Sequence, residues 1–461
     1  MDQLSTDSLS FFRPGRVPIL ALLLLIAASS AGVAQTSLTL RQAVDRALDE
    51  NPESAIARAG SQEADASATL ARTQLLPRVN FTEDISRGND PVYAFGTRLR
   101  QQRFTAADFA LNALNRPEPI GNFATRLSAS WVAFDSFKTQ REIRRADLWR
   151  KSSAASSQAV NQKIVLDVVQ AYQSVLYAER EIEVAKHEQE TAAALLDSVD
   201  DRVKAGLAVE SDRMSAQVSG AARKQEMIAA QGNLELAWAQ LRVAMGAPDL
   251  PTTTLQPITS HEFPFPSLEQ DLALAASTRP DLAALGQARS AQGESVRAAK
   301  SDFGPRISAY GNWEDDRTSL AGAGGNNWVA GVQIGIDILP FSKRAQLAQA
   351  SAAKLRVNAQ LAAAQQQARL QVSQAHIRRQ TARLSLETAR ASTEQATESL
   401  RILRNRYSAG LATITDLLRA EDAERQSQSS YWRAVYGNAA AYADQLFATG
   451  ALTPEAAEEL Q

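Results

Sequence analysis

Residues able to do covalent or metal chemistry are few in this 461-residue chain. It has no cysteine, which removes thiolate catalysis, thiolate metal sites, disulfides and a lipidated N-terminal Cys. The three histidines, His187, His261 and His376, are far apart in sequence. His187-Glu188-Gln189-Glu190-Thr191 begins like a zinc-protease helix, but Thr191 stands where the second imidazole would be needed. His261 lies in a Pro-rich linker and His376 in a polar helical run. Ser and acidic residues show no catalytic spacing. The sequence therefore predicts no catalytic residues, no metal, no cofactor and no enzyme activity. What remains is electrostatic. Asp212 and Asp416 each follow an Ala-Gly-Leu turn, and Arg202 and Arg406 precede the same turns. A carboxylate in the first turn of a helix, or an arginine in the last, offsets the helix dipole by about 0.3 to 1 kcal/mol.

These charges sit at the ends of very long elements. Arg202-Val203-Lys204-Ala205-Gly206-Leu207-Ala208 has a counterpart in Arg406-Tyr407-Ser408-Ala409-Gly410-Leu411-Ala412. Behind the first turn no Gly or Pro occurs as far back as Lys138, and behind the second none as far back as Ser342. Such runs, rich in Ala, Gln, Arg, Glu and Leu, predict helices on the order of 100 Å long at about 1.5 Å per residue. The turns are then the far tips of two helical hairpins, near 206 and 410. From Ile164 to Val203 apolar or small residues recur in steps of four and three, interrupted by Gln189, a period that predicts supercoiled packing. A second stripe, Val165, Val169, Tyr172 and Leu176, predicts neighbours on both sides, as in a sheet or cylinder of helices.

The tips belong to a duplication of the whole chain. Thr39, Gln42, Pro52 and Pro77 recur in register as Ser267, Gln270, Pro280 and Pro305, at the constant offset 267 − 39 = 228. Beyond them the offset falls to 341 − 137 = 204, as in Phe137 with Phe341 and Gly246 with Gly450. The first half therefore carries an inserted segment whose length is the difference, 228 − 204 = 24. The expected order is a first repeat at 35–247, a linker at 248–266 with five prolines, a second repeat at 267–450 and a flexible tail at 451–461. Thr39 and Ser267 predict capping boxes at helix starts.

Within each repeat the pattern switches to alternation. Strands are expected at 78–87 and 122–134, and at 306–317 and 327–339, with Trp131, Trp313 and Trp328 as membrane-interface aromatics. Arg13 and Arg16, the apolar run from Val17 to Ala28 and small residues up to Ala34 predict a signal peptide over 1–34. No later stretch has the apolar length of a spanning helix, so a membrane position requires β-structure. Four strands cannot close a barrel whose smallest known form has about eight, which predicts strands pooled by an oligomer in contact with lipid. The segment from Gly88 to Gly121 is expected to be a solvated loop folding over the barrel mouth, with Ala321-Gly322-Ala323-Gly324-Gly325-Asn326 as its short counterpart. A net charge of −2 argues against a nucleic-acid partner.

On these residues the chain resembles the TolC-like outer-membrane efflux proteins. The resemblance rests on the duplicated helix–strand–strand–helix plan, on Leu38 to Val44 with Asn51-Pro52, on Leu75-Leu76-Pro77-Arg78, and on the two Ala-Gly-Leu tips followed by Asp212 and Asp416. It implies a mainly helical homotrimer with a small β part. Twelve strands would form an outer-membrane β-barrel and twelve helices a periplasmic tunnel. It further implies an exit channel of a tripartite efflux or type I secretion system, engaged by a periplasmic adaptor and an inner-membrane transporter. Gly206, Leu207, Gly410 and Leu411 would contact the adaptor, and Asp212, Asp416, Tyr407 and Arg406 would form a periplasmic gate and selectivity region. Ala412 stands where family members with a described lock carry Arg, and Arg419 where they have a second acidic ring. The competing expectation is a periplasmic coiled-coil adaptor or scaffold; a general porin is disfavoured by the helical content.

Overall fold

A computed structural model describes residues 37–257 and 262–460. The expected signal peptide and His261 lie outside the described residues. The first repeat runs α1 (Leu40–Glu50), α2 (Pro52–Thr73), β1 (Arg78–Gly88), α3 (Pro91–Arg100), a 3₁₀ turn (Ala106–Phe109), α4 (Leu111–Asn115), β2 (Ile120–Phe134), α5 (Lys138–Lys204) and α6 (Glu210–Met245). The second has α7 (Leu268–Thr278), α8 (Pro280–Ser301), β3 (Arg306–Arg317), β4 (Gly324–Gly335), α9 (Phe341–Ser408) and α10 (Ile414–Thr449).

Both predicted capping boxes form. Thr39 and Gln42 exchange hydrogen bonds of 3.1 Å each, and Ser267 and Gln270 exchange bonds of 2.9 and 3.3 Å. Pro52 and Pro280 open α2 and α8, splitting the first helical run of each repeat at matching places. The long helices α5 and α9 have 67 and 68 residues, and each ends at a glycine with positive φ, Gly206 at 71° and Gly410 at 74°.

The apolar core gathers midway along the helices. Leu40, Val44, Ile164, Val168, Tyr172 and Leu241 are almost wholly buried there, with Met245 and Ala443. Both α5 stripes are buried, with one shift of phase: the seam passes through Glu188, which is buried, and Gln189 points outward. Residues 451–460 also depart from expectation. They form a short helix, α11 (Pro454–Glu458), and Leu452, Ala457 and Leu460 are fully buried against the core, so this segment is a packed clasp rather than a flexible tail. Burying such apolar groups outweighs the entropy of ordering a short acidic segment.

The four strands form one antiparallel sheet in the order β1-β2-β3-β4. β4 starts earlier than expected, at Gly324, and stops at Gly335, leaving Ile336 and Ile338 exposed beyond it. Register places Phe81, Leu127, Trp313 and Trp328 in one row and Val79, Ala129, Gly311 and Ala330 in the next. This face stays bare: Phe81 is 70% and Trp328 77% exposed. The opposite face is mostly polar, carrying Asn80, Thr82, Ser128, Asn312 and Gln333. Trp131 lies toward the helical end of the sheet, where its indole N–H donates to the carbonyl of Leu75 at 2.9 Å.

Glycine does two different jobs at the hairpin ends. Gly246 and Gly450, like the tip glycines, have positive φ, at 67° and 77°. A Cβ on Gly246 would also fall 2.6 Å from Asn51 Cα, and one on Gly450 2.8 Å from Arg279 Cα, whereas nothing lies near Gly206 or Gly410. Gly246→Ala therefore meets both left-handed strain and a backbone clash, and Gly206→Ala only the strain of about 1 to 2 kcal/mol. Thermal unfolding should show a clearly larger drop in Tm for Gly246→Ala; equal drops would refute the close approach.

Candidate functional site at the paired hairpin tips

Each tip is closed by the same hydrogen bonds. Leu207 N–H donates to Arg202 O and Leu411 N–H to Arg406 O, both at 2.8 Å, with Gly206 and Gly410 N–H donating one turn inward at 3.0 Å. This arrangement satisfies carbonyls that a helix end otherwise leaves free, and it requires the left-handed residue that glycine supplies. Leu207 and Leu411 are left 72% and 70% exposed.

The helices that return from the tips start differently. At α10, Thr413 and Asp416 form a capping box: Thr413 Oγ1 donates to the carboxylate at 2.7 Å, and Asp416 N–H donates to Thr413 Oγ1 at 3.2 Å. Hydrogen bonds from Thr413 hold the Asp416 carboxyl below its ordinary range, with help from Arg419 and Arg406. At α6 the cap position is Val209, which has no side-chain acceptor. Asp212 occupies the first turn there, and its charge acts on Tyr407.

Tyr407 joins the hairpins. Its ring is buried among Val199, Leu400, Ile414 and Leu417. The Arg202 guanidinium lies 4.9 Å from the ring centroid and donates to the Tyr407 carbonyl at 3.3 Å. A cation over an aromatic face contributes about 0.5 to 2 kcal/mol, more as water is excluded. Burial raises the Tyr407 phenol above its usual range, and Arg202 opposes the shift. The residues predicted from sequence thus fall into two groups, Asp212 near Tyr407 and Arg406 near Asp416. Among the described residues no hydrogen bond or ion pair links Asp212 to Asp416. Arg202, read from sequence only as a dipole partner, and Thr413 complete these groups. Thr413-Ile414-Thr415-Asp416 has the spacing that would have revealed the cap. Ala412 packs against the same apolar cluster, so apolar contact occupies its place in the tip.

A second link lies further from the tips. Arg223 on α6, with its side chain 6% exposed, pairs with Asp422 on α10 and lies 3.9 Å from Glu188 on α5. Arg425 reaches Glu226 at 3.6 Å, and Arg404 reaches Glu421 at 3.5 Å. This is why the seam can admit Glu188: a buried carboxylate is tolerated when a cation faces it. Burial raises both Glu188 and Glu421 above the ordinary carboxylate range. The remaining histidines serve structure or solvent. His376 Nδ1 lies 3.0 Å from Asp271 Oδ2 beneath Phe265, and His187 is exposed. Among the described residues no group of three or more His, Asp or Glu could hold a metal ion.

Two duplicated helical hairpins, tied at their tips and carrying an amphipathic β-sheet at the other end, define a wall segment of a membrane channel. The sequence model of the outer membrane efflux protein family matches residues 43–247 and 272–450, and the chain belongs to that family. It is 26% identical over 400 residues to the outer membrane protein OprJ of Pseudomonas aeruginosa, covering 84% of this chain and 78% of that protein. Its fold is similar to that of the CmeC outer membrane channel of Campylobacter jejuni, with a TM-score of 0.76, 20% identity and coverage of 89% of this chain and 85% of that one. The open-state MtrE outer membrane channel of Neisseria gonorrhoeae gives a TM-score of 0.74, 20% identity and 90% coverage of each chain. The protein is an outer-membrane efflux channel protein, and the adaptor or scaffold alternative falls with the family match.

Protonation of a group whose folded pKa is raised favours the folded form. The contribution of Glu188 is therefore full below the unfolded value, about 4.3, and is lost as pH rises through the raised value. Glu188→Gln should flatten that part of the dependence of Tm on pH, while Arg223→Ala, which strands a buried carboxylate, should cost about 3 to 5 kcal/mol. A Tm-versus-pH curve unchanged by Glu188→Gln would refute the assignment.

Proposed function

We propose that three copies assemble into an exit channel of a tripartite efflux or type I secretion system. The carrying observation is the sheet: one face is apolar and exposed, and β1 and β4 have no strand on their outer edges among the described residues. Bare edges and an apolar face are both costly in lipid unless the sheet closes on itself. Three chains of four strands give 3 × 4 = 12, beyond the minimum of about eight for an outer-membrane barrel. Trp131 would then lie near the periplasmic border of the lipid, with Trp313 and Trp328 toward the outer one.

At the other end, the tip turns Gly206-Leu207 and Gly410-Leu411 would dock a periplasmic adaptor, which in turn engages an inner-membrane transporter. Their exposed leucines suit an apolar contact. Asp212, Tyr407, Arg406 and Asp416, with Arg202, would form the periplasmic gate. Tyr407 Oη is buried and has no hydrogen-bond partner among the described residues. The tip leucines and the sheet are at opposite ends of helices on the order of 100 Å long, a length suited to crossing the periplasm.

Detergent-purified protein should have the mass of a trimer by light scattering and should conduct in planar bilayers. Photo-crosslinkers at Leu207 or Leu411 should capture an adaptor in cells. A monomer that conducts fully would overturn the assembly, and crosslinks confined to other outer-membrane proteins would overturn the docking site.

A further inference from the structure

The structure assigns residues 89–119 as a fixed inner collar that narrows the outer mouth of the channel, in place of the solvated loop expected from sequence. This rests on the trimeric barrel proposed above. The segment holds the insertion by which the first repeat exceeds the second, and it is folded. Asp90 caps α3 by accepting from Tyr93 N–H at 2.9 Å. Arg98 pairs with Asp108, whose carboxylate also accepts from Thr105 N–H and Oγ1 at 2.8 and 2.9 Å. Phe95, Phe104 and Phe109 pack edge to face, with centroids 4.7 to 6.5 Å apart.

The collar touches all four strands, and every strand side chain it uses lies on the polar face. Tyr93 Oη meets Ser86 Oγ of β1 at 2.9 Å. Gln101, only 2% exposed, donates to Asn122 Oδ1 of β2 at 3.0 Å and to the carbonyls of Gly121 and Arg317 at 2.9 and 3.2 Å. Asn122 in turn donates to Asp316 of β3 at 2.6 Å. Arg100 reaches Glu314 of β3 at 3.4 Å, and its carbonyl accepts from Asn327 of β4 at 3.4 Å. Gly325 permits this approach, since a Cβ there would sit 2.4 Å from Arg100 O.

In the barrel the apolar face meets lipid, so the polar face lines the lumen. A segment lying across the polar face from β1 to β4 therefore occupies lumen, at the end remote from the helices. It ends at β4, the free edge where the next copy's β1 would pair, so three segments follow one another around the inner wall. A buried glutamine whose amide N–H groups are shared among three acceptors on two strands ties each segment to that wall.

The chain has no cysteine, which allows a clean reporter. Ser130→Cys places a thiol on the polar face, exposed and toward the helical end of the sheet. Intact cells carrying it are treated from outside with maleimide and with maleimide-tipped polyethylene glycols of increasing size. In the parent channel small maleimide should label and large polymers should not. Replacing residues 89–119 by the short turn 318–323 should raise labelling by the large polymers several-fold. Arg100→Ala with Gln101→Ala, which keeps the segment's length, should raise it less. An unchanged size cut-off in both, with small maleimide still labelling, overturns the collar. Failure of small maleimide to label even the shortened variant counts instead against the barrel reading.

Discussion

A β-sheet that is apolar on one side and bare at both edges is an unfinished object, and the rest of the molecule follows from how it must be finished. Each strand edge leaves a row of backbone donors and acceptors, and in hydrocarbon every one of them needs a partner. In the trimeric barrel proposed above, closure with other copies would satisfy the edges, and lipid would cover the row of Phe81, Leu127, Trp313 and Trp328 on the apolar face. The same closure dictates that the other face encloses a lumen. The helices then continue that wall, because α2, α5, α8 and α9 enter or leave the ends of the strands directly. A cylinder of helices asks each member to touch two neighbours, and the two buried stripes of α5 answer that demand.

Duplication gives this wall its rigidity at repeated points. Asn51-Pro52 and Arg279-Pro280 break the first helical run of each repeat where Gly246 and Gly450 press against its backbone. The C-terminal clasp adds to the first of these regions, with Arg41 reaching Glu455 and Glu458 at 3.5 and 3.7 Å. Those surface pairs contribute little by themselves, and the buried Leu452 and Leu460 contribute more.

Much of this plan is legible in the sequence because it is written in local punctuation. Proline, glycine and capping residues set element ends within a few positions, and doubling makes each mark doubly specific. What escapes depends on partners distant in sequence. The seam runs through Glu188 instead of Gln189 because Arg223 lies opposite, and nothing local to α5 announces that arginine. Arg202 and Tyr407 meet across 205 positions, so each looks like an ordinary helix-end residue. The strand β4 begins in a glycine-rich stretch that composition assigns to a loop, yet Gly324 pairs with Arg317. The folding of 89–119 is hidden for the same reason, since its anchors lie on strands from both repeats. The Thr413–Asp416 cap is different: its spacing is in plain view, and attention to the charge alone misses it.

The two tips share a turn but differ in what holds them. Behind Gly410 stand a capped helix, an apolar Ala412 and a buried Tyr407; behind Gly206 stands a helix whose cap position, Val209, offers no acceptor and is exposed. Separating the hairpins at the tips must part Arg202 from Tyr407, at about 0.5 to 2 kcal/mol. Further up, it must part Arg223 from Asp422, but there both charges would regain water, so the cost is well below the about 3 to 5 kcal/mol of deleting one partner. These two contacts together stay below the roughly 5.5 kcal/mol of differential affinity that moves a two-state equilibrium from about 1:99 to 99:1. For the gate proposed above, a docking partner would have to favour the parted tips by enough to offset these contacts and the exposure of the apolar cluster of Val199, Leu400, Tyr407, Ile414 and Leu417 that spans both hairpins.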